Sequence, residues 1–252
     1  MTPRRAARQA RRDLARMARP SGDFDASRYF RGADHLGFYN VGTSRMRALA
    51  KAIYRENRGR WSTSDALAFA DILIRDRYLE VKAVGIEVLA CYRRDFTPAL
   101  LPAWKRWLAR NYSSNWATTD SICGSLIGPL LIARPTCRIQ LRRWSRDRNM
   151  WVRRAAAVAL VPSVRRGEAL DLGYEIAKAL HGDKEDLIQK AVGWMLREAG
   201  KPDPVRLERY LRANGASIPR TTLRYAIERF SVRKRKELLK ATMAGRAGKY
   251  GR

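Results

Sequence analysis

The stretch LIQKAVGWMLREAGK, residues 187–201, has a two-faced pattern from which the fold of the chain can be inferred. Its apolar residues recur at spacings of three and four, which places them in one stripe along an α-helix. The stripe consists of Ile188, Ala191, Val192, Met195 and Ala199. The pattern predicts an amphipathic helix that buries this stripe in a core.

Two other stretches have the same organisation, EVKAVGIEVLACYRRD at 80–95 and NMWVRRAAAVALVPSV at 149–164. Strand signals are almost absent, and helical segments follow one another with short breaks between them. We therefore predict an all-α fold, a HEAT-like repeat solenoid of antiparallel helix pairs with a concave basic face. An irregular helical bundle is the alternative that the pattern leaves open.

The predicted organisation has three parts. Residues 1–24 form a basic N-terminal helix or extension, 25–240 a single solenoid domain and 241–252 a disordered basic tail. Capping residues mark several helix starts, with Ser62 or Ser64 before one and Thr118 or Thr119 before another. The predicted helices run at about 4–18, 43–57, 62–75, 78–92, 97–110, 118–133, 136–146, 149–163, 166–181, 184–199, 203–213, 218–229 and 231–240.

The charge of the chain indicates its partner. Lys and Arg number 52 against 24 Asp and Glu, which gives a formal net charge of +28 over 252 residues. Such an excess favours a polyanion, because long-range attraction and counterion release both reward many phosphate contacts. We therefore expect a nucleic acid partner.

The chain has few residues that could form a metal site or a Ser-His-Asp triad. Cys91, Cys123 and Cys137 have no metal-binding spacing, and His35 and His181 are the only histidines. We therefore expect no metal and no cofactor. Three cysteines without a disulfide pattern indicate a reduced, intracellular protein, and we expect a cytoplasmic location in association with DNA.

Some residues lie outside the apolar stripes of their helices. Trp116 and Asp120 are four residues apart and share a face if their helix begins early. Lys190, Trp194 and Arg197 form a line at spacings of four and three, separate from the stripe of their helix. A tryptophan between two cations suits a surface that contacts phosphates and sugars.

Four segments carry a resemblance to a known family. They are RYFRGADHLGFYNVGTSRMRALAK (28–51), NWATTDSI (115–122), DRNMWVRRAAAVAL (147–160) and DLIQKAVGWMLREAGKPDP (186–204). They resemble, in order and rough spacing, the motifs of the AlkD-like DNA alkylation repair proteins, which are HEAT-repeat DNA glycosylases. The last segment is the most specific, and the likeness covers about residues 25–230.

The resemblance implies a role for each matching residue. Asp120 would be the catalytic carboxylate, Trp116 and Trp194 the aromatic walls of a cleft, and Arg154 the residue that orients the DNA backbone. Tyr29 would be a DNA contact from the first repeat. Apart from the resemblance, we expect DNA contacts from Arg45, Arg153, Lys190 and Arg197. The sequence departs from the family pattern at Asn115, where a second tryptophan is common, and at Ala117, where an acid is common.

The implied activity is hydrolysis of the N-glycosidic bond of N3- or N7-alkylated purines, such as 3-methyladenine and 7-methylguanine, in duplex DNA. A carboxylate near the sugar stabilises its oxocarbenium character, and an alkylated, cationic purine leaves without a second acid. The resemblance also implies that the enzyme works without base flipping. No lysine is implicated as a Schiff-base nucleophile, so we expect a monofunctional glycosylase, and we expect it to be a monomer. The alternatives are a non-catalytic scaffold that binds DNA or RNA through its basic face, and a ribosome-binding factor.

Overall fold

The computed structural model describes residues 1–20, 30 and 35–247, and these residues form helices and connecting turns without a β-strand. One isolated parallel bridge joins Gly37 to Tyr78. The α-helices are α1 (Pro3–Arg16), α2 (Thr43–Asn57), α3 (Thr63–Leu73), α4 (Leu79–Ala90), α5 (Leu101–Ala109), α6 (Trp116–Ile122), α7 (Gly128–Ala133), α8 (Gln140–Trp144), α9 (Met150–Val158), α10 (Val161–Val164), α11 (Leu170–Ala179), α12 (Asp186–Ala199), α13 (Pro204–Asn214), α14 (Arg220–Ala226) and α15 (Val232–Ala247).

The chain forms two compact units, Met1–Leu130 and Leu131–Arg252. In the first unit α1 packs on α3, α2 on α4, and α4 on both α3 and α6. Each helix of a stacked pair is expected to contact the equivalent helix of the next pair, as α1 contacts α3 and α2 contacts α4. The unit includes α1, whose Ala7 and Leu14 are fully buried.

The second unit is organised around α12. This helix packs against α9, α11, α13 and α14, and α13 in turn packs against α15. Its buried residues include all five members of the apolar stripe predicted from residues 187–201. The other face of α12 is left for polar side chains and Trp194.

The predicted all-α class is confirmed for the described residues, and the concave basic face remains a prediction. Several helix bounds differ from those predicted. Helix α6 begins at Trp116 rather than at 118, and α15 continues to Ala247, so residues 241–247 of the predicted disordered tail are helical. Of the predicted caps, Ser62 is correct, and its side chain forms a capping box with Asp65.

Among the residues that the structure describes, no single helix is long and apolar enough to cross a membrane. One bent pair of helical segments, 116–133 with 135–144, meets the length and composition criteria alone.

Candidate functional site

The start of α6 is set by Asn115. Its side-chain oxygen accepts a hydrogen bond from the backbone N–H of Thr118 at 2.8 Å, which is the arrangement of an N-cap. Its amide nitrogen donates to the carbonyl of Ser113 and to the hydroxyl of Thr118. Thr118 and Thr119, the caps predicted from the sequence, lie inside the helix, where both are buried.

Because α6 begins at Trp116, Trp116 and Asp120 lie one turn apart on the same face. Both side chains are partly exposed. The helix changes to π geometry at Cys123–Ile127, directly after this pair, and returns to α geometry in α7. π-Bulges within α-helices occur frequently at functional sites.

Trp116 forms one wall of an aromatic cavity in the first unit. Its ring stacks on Phe30, with ring centroids 5.5 Å apart and planes inclined by 7°. Phe38 packs against Phe30, and the cavity has a volume of about 350 Å³. Met46 and Glu80 also contribute to its lining. Trp116 is therefore a wall residue of an accessible aromatic site in this structure rather than a residue of the core.

Two charged residues of α4 hold the segments around this cavity, and the sequence patterns did not identify either of them. The Glu80 carboxylate accepts hydrogen bonds from the backbone N–H groups of Tyr39 and Asn40. The buried Lys82 ammonium donates to the carbonyls of Ile74 and Tyr112, at 2.8 and 2.6 Å. Burial lowers the pKa of Lys82 to about 8, and the nearby carboxylate of Asp76 opposes this shift.

In the second unit, both predicted arginines of α9 make contacts within the protein. Arg154 is 5% exposed, and its guanidinium donates to the carbonyl of Leu187 at the start of α12. Arg153 forms an ion pair of 2.7 Å with Asp183 and donates to the carbonyls of Asp147 and Arg148. These contacts connect α9 to the segment that leads into α12.

Helix α12 carries the remaining predicted residues. Trp194 is partly exposed. One turn before it, Lys190 pairs with Asp186 at 2.7 Å, and the hydrogen bond to this carboxylate raises the pKa of Lys190. One turn after it, Arg197 pairs with Glu228 and also lies near Glu198.

The predicted site residues thus fall in both units. The first unit contains Trp116 and Asp120 on α6 and an exposed Arg45 on α2. Helices α9 and α12 of the second unit carry Arg153, Arg154, Lys190, Trp194 and Arg197. Tyr29 lies outside the described residues. Within the described part of the chain, no group of three or more His, Cys, Asp or Glu side chains is placed to hold a metal ion.

Comparison with known families identifies the chain. The family model described as DNA alkylation repair enzyme matches residues 10–230, a segment that includes every predicted site residue. The chain belongs to the DNA alkylation repair enzyme family.

This family member also has a structural relative. A solved structure described as a predicted DNA alkylation repair enzyme from Enterococcus faecalis superposes with a TM-score of 0.69. The match covers 87% of this chain and 96% of the other at 18% sequence identity, which supports a shared fold. No curated protein matches the sequence significantly.

Proposed function

We propose that this member of the DNA alkylation repair enzyme family is a glycosylase that hydrolyses the N-glycosidic bond of N3- and N7-alkylated purines in duplex DNA. Family membership supports DNA as the substrate and alkylation damage as the lesion. The observation that carries the proposal is the placement of Trp116 and Asp120 one turn apart on α6, both partly exposed.

The proposed chemistry begins at the sugar of the alkylated nucleotide. As the glycosidic bond lengthens, positive charge develops near the anomeric carbon, and the Asp120 carboxylate stabilises it and orients the attacking water. An N3- or N7-alkylated purine is cationic and departs as a neutral base, so the departing nitrogen needs no proton. No lysine is assigned as a nucleophile, and the enzyme is therefore proposed to be monofunctional.

The aromatic residues contribute through their π faces. The quadrupole of the Trp116 ring makes the faces of the ring negative, so they attract a cationic sugar or base. Trp194 is proposed to do the same from α12. Such contacts do not require the base to leave the stack, and the proposed reaction proceeds without base flipping. The enzyme is proposed to act as a monomer and without a cofactor.

The basic side chains are proposed to hold the DNA backbone. Lys190 is 41% exposed and can reach a phosphate while it stays near Asp186. Arg154 differs, because it is buried and its guanidinium donates to the Leu187 carbonyl. In this position the Arg154 side chain links α9 to the start of α12.

The test is release of free base from a duplex containing one N7-methylguanine. Asp120→Asn keeps the size of the side chain and removes its charge, so we expect the single-turnover rate to fall by about 100-fold or more. DNA binding should not weaken, because the change removes an acid from a protein that binds a polyanion. Asp95→Asn, at an exposed acid of the same unit, is the matched control and should release base at the unaltered rate.

Two results would contradict the proposal in different ways. Equal rates for Asp120→Asn and the unaltered protein would remove Asp120 from the chemistry. Tight DNA binding without base release by the unaltered protein would favour the non-catalytic scaffold, with Trp116 and Trp194 as DNA-gripping residues.

A further inference from the structure

Helix α1 carries a row of exposed arginines that the proposed catalytic site does not use. The helix runs from Pro3 to Arg16 and begins with Thr2 as N-cap. Five of its arginines are exposed, namely Arg4, Arg5, Arg8, Arg12 and Arg16. We call these five residues the α1 arginine ridge. The segment matched by the family model begins at residue 10, so three of the five precede it.

The ridge occupies one face of the helix. At about 100° per residue, its five side chains fall within an arc of roughly 120°. Arg4, Arg8, Arg12 and Arg16 follow one another at four-residue intervals, which is about 6 Å of rise each. The opposite face is fixed in the core of the first unit, with Ala6, Ala7, Ala10 and Leu14 at most 1% exposed.

Most of this charge is available for a partner. Among the described residues, no ion pair involves Arg4, Arg5 or Arg8. Arg12 donates to the neutral amide of Gln9, and Arg16 lies 3.8 Å from Asp13, which is the one acid in the sequence of α1. The helix has a sixth arginine, Arg11, at the edge of the ridge, but its guanidinium pairs with Asp76 at 2.6 Å and donates to the carbonyl of Ile72.

The chemistry of the ridge favours a phosphodiester backbone over a bilayer. An interfacial helix binds membranes by inserting an apolar face, and the apolar face of α1 is already buried against the unit. The ridge is about 18 Å long, and duplex DNA rises about 3.4 Å per base pair, so the ridge spans the length of roughly five base pairs.

None of the five ridge arginines is among the residues that line the cavity beside Trp116. Helix α1 packs on α2, α3 and α4, whereas α6 packs on α4. We therefore treat the ridge as a surface in addition to that cavity.

We propose that the α1 arginine ridge is a second, sequence-independent binding surface for the backbone of duplex DNA. The assignment of DNA as the occupant rests on the proposed function of the protein. Guanidinium groups suit this role, because their planar N–H donors form paired hydrogen bonds with phosphate oxygens. The surface would hold undamaged and damaged DNA equally.

The experiment compares the salt dependence of binding to an undamaged duplex of about 30 base pairs, because the slope of log K against log salt changes by about 0.9 per phosphate contact. The test variant replaces all five ridge arginines by Gln, which removes their charge and keeps a high helix propensity. The matched control replaces Arg55, Arg58, Arg60, Arg93 and Arg94 by Gln. These are also five exposed arginines of the first unit, so both variants lose the same net charge. Circular dichroism verifies that each variant is folded.

We expect the slope of the ridge variant to be shallower than that of the control by about 2 or more. Equal slopes for the two variants would overturn the proposal, because the effect would then be one of net charge alone. It would also be overturned if the ridge variant lost binding to vesicles of anionic phospholipid and kept the slope of the control on DNA.

The proposed catalytic activity is measured separately, as base release by the unaltered protein from the N7-methylguanine duplex. Failure of that assay contradicts the glycosylase and leaves the comparison of slopes intact.

Discussion

At the scale of single residues, Lys190 and Asp186 form an ion pair on α12. The ammonium of Lys190 attracts a polyanion, whereas the carboxylate of Asp186 repels it. Lys190→Ala should weaken DNA binding roughly fivefold at physiological salt and reduce the salt slope by about 1, equally for all sequences. Asp186→Asn should strengthen binding, since it releases the ammonium and removes a negative charge. Fluorescence anisotropy with undamaged and lesion-containing duplexes measures both effects. A sequence-dependent loss in Lys190→Ala would count against a backbone contact.

The residues that could be recognised from sequence are those whose type is unusual for their position. Trp116 and Asp120 stood out in this way, and α6 carries them on one face. Glu80 and Lys82 were not recognised, because charged residues near a helix start are common. Both form hydrogen bonds with backbone groups that are distant in sequence, such as the carbonyl of Tyr112, and these bonds exist only in the folded chain.

At the scale of elements, Gly193 sets how closely α12 approaches α14. A Cβ atom at this position would lie 2.5 Å from the Cβ of Tyr225 and 2.7 Å from the carbonyl oxygen of Thr222. Gly193→Ala should therefore lower the free energy of unfolding by about 1–3 kcal/mol, because backbone and Cβ atoms cannot move aside cheaply. Urea unfolding measures the change.

Gly124, on the π segment, provides the matched control for this prediction. A Cβ atom there would meet nothing within 4 Å. Gly124→Ala should leave stability unchanged or raise it by about 0.5–1 kcal/mol through the lower entropy of the unfolded chain. Equal losses in the two alanine variants would show that close packing against α14 is not the cause.

The helices were predictable as elements because their apolar stripes repeat at helical spacing, whereas their ends depend on local competition. At α6, Asn115 adopts the extended backbone of an N-cap, so Trp116 joins the helix two residues before the predicted start. The π geometry of Cys123–Ile127 could not be predicted, because the apolar sequence there is also typical of an ordinary α-helix. At the other end of the chain, α15 extends past residue 240 although the sequence becomes small and basic.

At the scale of the whole molecule, the stability of the fold should depend on the protonation of His181. This residue is 6% exposed, and its ring nitrogens lie 2.9 Å from the hydroxyl of Tyr210 and 3.2 Å from that of Ser217. Burial lowers the pKa of His181 to about 4, assisted by the charge of Lys178. The folded protein therefore holds this imidazole neutral at pH values where the unfolded chain protonates it.

The sign of the pH dependence follows from proton binding. Between about pH 6.5 and pH 4 the unfolded chain binds more protons at this position than the folded chain, so stability falls as the pH is lowered through this window. The loss attributable to His181 should reach at most about 3 kcal/mol, measured by urea unfolding at several pH values. His181→Gln should flatten this part of the profile, and His35→Gln, at an exposed histidine, should retain it.

Helix α4 has a consequence for the thermodynamics of ligand binding. Glu80 fixes the backbone at Tyr39 and Asn40, and Lys82 fixes the carbonyl of Tyr112 in the segment that leads into α6. Both sides of the approach to Trp116 are therefore ordered in the free protein. The conformational entropy of these segments is lost during folding, and a ligand that enters the cavity does not have to order them again. Glu80 and Lys82 thus contribute to affinity by preorganisation, apart from any contact that Glu80 makes with the ligand as a residue of the cavity lining.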